Sequence, residues 1–205
     1  MQKKINLKLV LLALLFFTFS TFIFIINAKF QEFRKSLSSI DNIFIGYPRS
    51  EILYRLGTPK YLVDDKDVDK FGGQRVLYIA DPDELPIGKT INDYSIWVYE
   101  LAHHRLEVLF DKRNNVISLI IFGDSKHNSH WGPIAGINFD DDELTILKLG
   151  EPTNISISGV TKTIEYSDIG LSFHLTMGRA YMVTLEQPSK GLAPTFQRFI
   201  FSLLK

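Results

Sequence analysis

Two apolar runs flank a polar turn in residues 106–122, which read LEVLFDKRNNVISLIIF. The runs are rich in β-branched and large apolar residues, and the turn is rich in Asn and charge, which is the pattern of a β-hairpin. A second hairpin is predicted in residues 171–185, LSFHLTMGRAYMVTL, with its turn at 176–179. Shifted by 65 residues, Leu106 falls on Leu171. The chain therefore carries two hairpins of similar design.

Each hairpin follows a short predicted helix that ends at a Leu-Gly-x-Pro sequence. The first helix lies within residues 46–59, where Pro48 suits the first turn and Gly57 ends the helix. The second lies within residues 139–152, where the acidic residues 140–143 complement the free amides of a helix start. The two stops are 93 residues apart. Two helix-then-hairpin units in the same order predict an internal repeat.

A two-residue turn would also determine which side chains share a face of the sheet. One face would then be wholly apolar and pack against the helix: Leu106, Val108, Phe110, Ile117, Leu119 and Ile121. The opposite face would mix polar and apolar side chains: Glu107, Leu109, Ser118 and Ile120, joined in the second unit by Ser172, His174, Tyr181 and Val183. Such a face suits a protein-binding surface, and it equally suits a sheet covered by the chain's own loops.

The predicted protein-binding residues combine this mixed face with Trp131, which stands in a Gly-Pro loop and is expected to be exposed. They are Glu107, Leu109, Ser118, Ile120, Ser172, His174, Tyr181 and Trp131.

The N-terminal segment differs from the rest of the chain. Fifteen of the 18 residues from Leu9 to Ile26 are apolar, and no charge lies between Lys8 and Lys29. Twenty such residues span roughly 30 Å as a helix, the thickness of a bilayer's hydrocarbon core. We therefore expect a transmembrane helix within residues 1–27. Its length favours an uncleaved signal anchor over a cleaved signal peptide.

The predicted location follows from charge at the two ends of this segment. Lys3, Lys4 and Lys8 precede it, and Lys29, Arg34 and Lys35 follow it. With the amino terminus added, the balance slightly favours a cytoplasmic N-terminus. The expectation is a single-pass protein of the bacterial inner membrane, with its C-terminal domain periplasmic or otherwise extracytoplasmic.

Composition excludes several classes of function. The chain has 205 residues, 23 basic and 23 acidic side chains, and no cysteine. Residues 28–205 alone carry 20 basic and 23 acidic side chains, which argues against a nucleic-acid binder. Without cysteine there is no disulfide scaffold, no thiol catalysis and no lipid attachment through cysteine.

No catalytic constellation stands out. Gly-x-Ser-x-Gly, a glycine-rich phosphate loop and His-Glu-x-x-His are all absent, so the prediction is a protein that is not an enzyme and has no cofactor or small-molecule substrate. His127 and His130, with Asp124 nearby, are weak metal-binding candidates in a segment that otherwise has the composition of a linker.

The first unit resembles the SmpA/OmlA (BamE-like) family. The resemblance rests on Gly46 through Leu56-Gly57-Thr58-Pro59, on Trp97-Val-Tyr99, and on the apolar hairpin around an Asn-rich turn. The tandem arrangement is similar to the beta-lactamase inhibitor protein fold. Together, these resemblances imply an α+β fold in which helices pack on an antiparallel sheet in each of two tandem repeats. The missing cysteine separates the chain from the lipoproteins of that family.

These observations predict six segments. They are a signal anchor (1–27), a juxtamembrane stalk (28–44), a first α+β repeat (45–122) with an inserted loop at about 60–93, a linker (123–135), a second α+β repeat (136–190) and a C-terminal capping helix (191–205).

The predicted function is a membrane-anchored cell-envelope protein whose exported module binds another envelope protein in assembly or maintenance. One alternative is a secreted or periplasmic enzyme-inhibitor or immunity-type protein. An alternative of another class is a metal-binding sensor or enzyme that uses His127 and His130.

Overall fold

A computed structural model describes residues 7–64, 75–123, 133–189 and 195–200. The helices are α1 (Leu7–Ser36), α2 (Arg49–Leu56), α3 (Glu143–Ile146) and α4 (195–200), and 3-10 turns lie at Ile91–Asp93 and Leu147–Leu149. The strands are β1 (Ser39–Ile40), β2 (Ile43–Phe44), β3 (Tyr61–Val63), β4 (Tyr78–Ile79), β5 (Ile96–Glu100), β6 (Arg105–Phe110), β7 (Val116–Phe122), β8 (Asn154–Ser158), β9 (Thr161–Tyr166), β10 (Leu171–Thr176) and β11 (Arg179–Glu186).

Nine of the described strands form one antiparallel sheet, which confirms the predicted α+β class. The strand order is β4-β3-β5-β6-β7-β11-β10-β9-β8, so β8 to β11 form a meander, whereas in the first half β3 lies between β4 and β5. The halves meet where β7 pairs with β11, with Leu119 opposite Leu185. The last strands of the two predicted units are therefore neighbours at the centre of the sheet.

One face of this sheet, which we call the helix-bearing face, packs against the helices. Its side chains alternate along each strand with those of the opposite, open face. Leu106, Leu119, Phe173 and Val183 on this face join Ile52 of α2 in one buried cluster, and each is at most 1% exposed. The predicted apolar face is thus the core face.

The two short helices end as predicted and are tied to the sheet in similar ways. Gly57 and Gly150 end them with positive φ angles of 76° and 99°, which glycine adopts without strain. The Tyr99 hydroxyl on β5 donates to the Gly57 carbonyl at 3.2 Å. The Tyr166 hydroxyl on β9 donates to the Gly150 carbonyl at 3.3 Å. Each helix end therefore meets a tyrosine of its own half of the sheet.

The acidic residues before α3 act as expected. Asp142 is the N-cap, and its side chain accepts a hydrogen bond from the Thr145 amide at 2.8 Å. Hydrogen bonds from Thr145, first from its side chain and then from its backbone amide, lower the pKa of the Asp142 carboxyl.

Both hairpins contain a bulge, and the bulges overturn two predicted side-chain positions. The register shifts between Leu109 and Phe110 in the first hairpin, and between His174 and Leu175 in the second. Ile117, predicted on the core face, lies at the first bulge and is 46% exposed. Val183, predicted on the open face, is fully buried on the helix-bearing face, because the extra residue at the second bulge inverts the alternation.

Two predicted loop-like segments contribute to the folded domain. Phe33, Leu37, Ile40 and Ile43, from the segment expected to be a stalk (28–44), are at most 8% exposed and belong to the main core. The insertion expected at about 60–93 contains β3 and β4, and β3 pairs with β5 in the sheet. Both segments are therefore held in the domain by partners that are distant in sequence.

Helix α1 runs without a break from its apolar part into the core. It contains one stretch, Leu14–Ser36, that is long and apolar enough to cross a membrane by length and composition. At its other end, Phe30 and Phe33 lie 5.3 and 5.6 Å from the Phe199 ring of α4, measured between ring centroids. The Ser36 hydroxyl accepts a hydrogen bond from the Ala135 amide at 3.0 Å. The end of α1 is thus packed into the domain.

Candidate functional site

The open face of the sheet contains most of the predicted protein-binding residues that the structure describes. Two rows of paired residues cross it. One runs Glu107, Ile120, Thr184, Ser172, Glu165, and the other runs Arg105, Phe122, Met182, His174, Thr163. The rows pass from the first half of the sheet to the second without a break in the ladder, so the open face is one continuous surface.

The first half of the open face is closed to solvent. Val63, Ile96 and Val98 form a second buried cluster, at most 1% exposed, and Tyr61 and Leu109 pack against it. In this region the open face follows the second of the two predictions, a sheet face that is covered by the chain itself. Leu109 therefore serves packing here.

Glu107 lies at the border of this closed region, beneath two arginines. Its carboxylate oxygens are 2.7 Å from Nη1 of Arg75 and 2.6 Å from Nη2 of Arg105, and its side chain is 1% exposed. Both oxygens are paired, which is what a buried carboxylate requires. Ser118, also predicted as a contact, is 4% exposed, and its hydroxyl has no hydrogen-bond partner among the described residues. Neither residue can touch a partner in this conformation, and this corrects the predicted surface.

The second half of the open face forms an open groove of about 510 Å³. We call it the polar groove and define it by Ile120, Thr163, Glu165, Ser172, His174 and Thr184. Its floor carries hydroxyls, an imidazole and a carboxylate on side chains that alternate with the core residues of β9, β10 and β11. Ile120, Ser172 and His174 were predicted as contact residues, and the structure brings these three together.

His174 lies at the centre of the groove between two hydroxyls. Its Nδ1 is 3.0 Å from Oγ1 of Thr163, and its Nε2 is 3.4 Å from Oγ1 of Thr184. Burial lowers the pKa of His174, and the Glu165 charge opposes that shift more weakly. The imidazole is therefore neutral near pH 7, with one nitrogen donating and the other accepting.

The groove presents several hydrogen-bonding groups. Among the described residues, the hydrogen-bond partners of the His174 ring are the hydroxyls of Thr163 and Thr184. The Glu165 carboxylate instead accepts a hydrogen bond from the side-chain amide of Asn154 at 3.3 Å. The arrangement suits the recognition of donors and acceptors on another molecule.

The remaining predicted residues lie elsewhere. Tyr181 is the extra residue of the second bulge and has no Cα partner on β10. Trp131, His127 and His130 lie outside the described residues. Within the described part of the chain, no group of three or more metal-ligating side chains occurs. The His104 side chain is 10% exposed, with Nε2 2.6 Å from a carboxylate oxygen of Asp41.

The prediction missed Thr163, Glu165, Met182 and Thr184 of the open face. Alternation along Thr161–Tyr166 would have found the first two, since Ile164 and Tyr166 are buried and their neighbours are not. Thr184 and Met182 were hidden by the bulge, which moves the open face from odd-numbered to even-numbered residues of β11.

No protein-family model matches the chain, and no curated protein matches it. Two solved structures are weakly similar. A DUF4309 family protein (YjgB) from Bacillus subtilis is 11% identical, with a TM-score of 0.44 over 79% of this chain and 95% of that one. An extracellular protein containing an SCP domain from Bacillus anthracis is 10% identical, with a TM-score of 0.40 over 78% of this chain and 48% of that one. Similarities at this level assign no function, and the resemblance to the SmpA/OmlA family stays a prediction.

Proposed function

We propose that the chain is a single-pass membrane protein whose α+β domain binds another protein of the cell envelope through the polar groove. The observation that carries the proposal is the continuity of α1. One unbroken helix of 30 residues leads from an exposed apolar stretch into the core of the domain.

The exposed part of α1 is unfavourable in water. Nine large apolar side chains between Leu14 and Ile25 are 49% to 73% exposed. Burying them in hydrocarbon is worth on the order of 10 kcal/mol at roughly 1.5 kcal/mol or more per side chain. A bilayer provides that burial along the whole circumference of the helix, which suits a segment without a polar face.

The proposed location is the bacterial inner membrane, with the domain on the extracytoplasmic side. It rests on the slight excess of positive charge before the apolar stretch. The alternative of a secreted inhibitor keeps the same domain and requires cleavage near Lys29. Sequencing the N-terminus of the mature chain separates the two.

We also propose that the two halves of the domain are tandem repeats. Two sets of equivalent features support this. The hairpin bulges follow Leu109 and His174, which are 65 residues apart. The hydroxyl bonds from Tyr99 and Tyr166 end on the glycines that stop the two helices.

The groove supports the binding half of the proposal. It is the part of the open face that the described residues leave uncovered, while Val63 and Val98 at the other end are fully buried. Its neutral histidine, hydroxyls and Ile120 form a mixed surface of the kind found in non-obligate protein interfaces.

A site-specific crosslinking experiment tests the proposal in membranes. A photoreactive amino acid is placed at Ser172 in the groove, and in a matched chain at the exposed Ser50 on α2. We expect a partner adduct from position 172 and none from position 50. Ser172→Arg should fill the groove and abolish capture by a probe at His174, whereas Ser50→Arg should not.

Two results would contradict the proposal. If alkaline carbonate extracts the chain from membranes, the proposed transmembrane anchor is contradicted. Identical adducts from positions 172 and 50, or no adduct from position 172, would contradict the proposal that the groove binds the partner.

A further inference from the structure

Strand β8 is an edge of the sheet with its outer side uncovered. It pairs with β9 through five consecutive residue pairs, and no described strand lies beyond it. All five of its residues are exposed, including Ile155 at 45% and Ile157 at 72%. Its sequence, Asn-Ile-Ser-Ile-Ser, contains no charge.

Such an edge lacks the usual protection against pairing. Natural sheets guard their edges with lysines, prolines, bulges, very short strands or a covering segment. The opposite edge of this sheet fits that rule, since β4 has only two residues. Strand β8 has five residues, no proline, no charge and an unbroken register with β9. An unprotected edge of this kind is explained by a strand that pairs with it.

We propose that β8 joins two copies of this chain by antiparallel pairing, so that their sheets become one. The sequence of β8 favours a second copy as the occupant. Without charge, self-pairing brings no like charges together, which would otherwise destabilise the contact. The pattern is also symmetric about Ser156, so that pairing centred there places Ile155 of each copy opposite Ile157 of the other.

The proposed membrane anchor favours the register centred on Ser156. Pairing centred on one residue keeps the helix-bearing faces of both copies on the same side, whereas a slip by one residue turns one copy over. The end of α1 packs on the helix-bearing face through Phe33 and Leu37. Both α1 helices therefore leave the joined sheet on one side, as insertion into one membrane requires. This choice of register rests on the proposed anchor, whereas the exposed edge itself does not.

The absence of cysteine makes the test direct. Ser156→Cys is introduced into the full chain, and the membranes are treated with a mild oxidant. We expect a disulfide-linked homodimer, because position 156 faces itself across the axis. Asn154→Cys and Ser158→Cys should each give little dimer alone and a crosslinked pair when the two chains are produced together, since each faces the other. Ser50→Cys, on the exposed side of α2, is the background control.

A charge at the edge should abolish the contact. In the Ser156→Cys chain, Ile157→Glu should reduce the dimer at least tenfold. The fold tolerates the change because residue 157 is exposed and pairs with Lys162. Val160→Glu is the matched control, because Val160 is 82% exposed but lies in the turn after β8. It should leave the dimer unchanged.

Three outcomes would overturn the proposal. They are no crosslink above the Ser50→Cys background, a crosslink of position 156 to a different protein, and a dimer that survives Ile157→Glu. Carbonate extraction of the same membranes reports on the anchor separately. A dimer in chains that carbonate releases would support the edge contact and contradict the membrane proposal, so the two failures are distinguishable.

Discussion

At the scale of single residues, two buried tyrosine hydroxyls link the helix ends to the sheet. Burial raises the pKa of Tyr166 to about 12, so its hydroxyl remains a donor at neutral pH. Its one hydroxyl hydrogen is shared between the carbonyls of Ile146 at 3.0 Å and Gly150 at 3.3 Å. Tyr99 reaches one carbonyl, that of Gly57 at 3.2 Å. Because the bond to Ile146 is buried and that of Tyr99 is only partly buried, we expect the second half of the domain to depend more on its tyrosine than the first half does.

Tyr166→Phe is expected to lower the free energy of unfolding by about 1–3 kcal/mol, because buried carbonyls lose their donor. Tyr99→Phe should cost less, about 0.5–1.5 kcal/mol. The measurement is urea unfolding of the detergent-solubilised chain, followed by tryptophan fluorescence. Tyr54→Phe, on a side chain that is 85% exposed, should leave the midpoint unchanged. Equal losses from all three changes would contradict this assignment.

His174 should make the stability of the domain dependent on pH. Because burial lowers the pKa of His174, the unfolded chain binds a proton more readily than the folded chain. The contribution of His174 to the free energy of unfolding is fully present above the pKa of an unfolded histidine, about 6.5. It is lost as the pH drops below that value, by at most about 1.4 kcal/mol per pH unit.

The pH effect is measured as the change in unfolding free energy between pH 7.5 and 5.5. We expect His174→Gln to reduce this change, because glutamine can still bond to Thr163 and Thr184 but does not titrate. The exposed His103→Gln is the control and should preserve the change. A pH dependence that is the same in all three chains would show that His174 is not its source.

At the scale of elements, α4 is attached to the second unit by one buried arginine. Nε and Nη2 of Arg198 donate to the Asp168 carboxylate at 2.9 Å each, and Nη1 donates to the carbonyls of Leu149 and Glu151. The guanidinium also lies 4.5 Å from the centroid of the Tyr166 ring. Arg198 and Asp168 are each 7% exposed, so neither charge is satisfied by water if the other is removed.

Arg198→Ala is expected to cost about 3–5 kcal/mol, because it leaves the Asp168 carboxylate buried and unpaired. It should also release α4 from α1 and expose residues 195–200 to proteolysis. The double change Arg198→Met with Asp168→Leu should cost less than Arg198→Ala, since no buried charge remains. Recovery should be partial, because the carbonyls of Leu149 and Glu151 still lose their donor. A double variant that is less stable than the single one would contradict this account.

The elements that could be predicted from sequence are those with local signals. The helix stops at Gly57 and Gly150 and the alternation of Leu106 and Val108 depend on neighbours in the chain, and they were found. The site was found only in part. The bulge after His174 inverted the faces of β11, and the burial of Glu107 depends on Arg75, which lies 32 residues away in sequence. Such contacts leave no periodic signal.

At the scale of the whole molecule, the apolar segment that we propose as a membrane anchor and the domain share one helix. The apolar side chains from Leu14 to Ile25 are exposed, whereas Phe33 and Leu37, about two turns further along, are at most 8% exposed in the core. The domain therefore begins inside α1 rather than after it. Because α1 continues into the core among the described residues, the orientation of the open face and of β8 is coupled to that of the apolar part of α1.

This shared helix predicts where the chain can be shortened. A chain that begins at residue 26 retains Phe33, Leu37, Ile40 and Ile43, and it should unfold cooperatively with a urea midpoint close to that of the full chain. A chain that begins at residue 45 loses these four buried side chains. Each large apolar side chain removed from a core costs roughly 2–5 kcal/mol, and a domain is stable by only about 5–15 kcal/mol. The shorter chain should therefore be unfolded or insoluble, whereas an unchanged midpoint would show that residues 28–44 are an independent stalk after all.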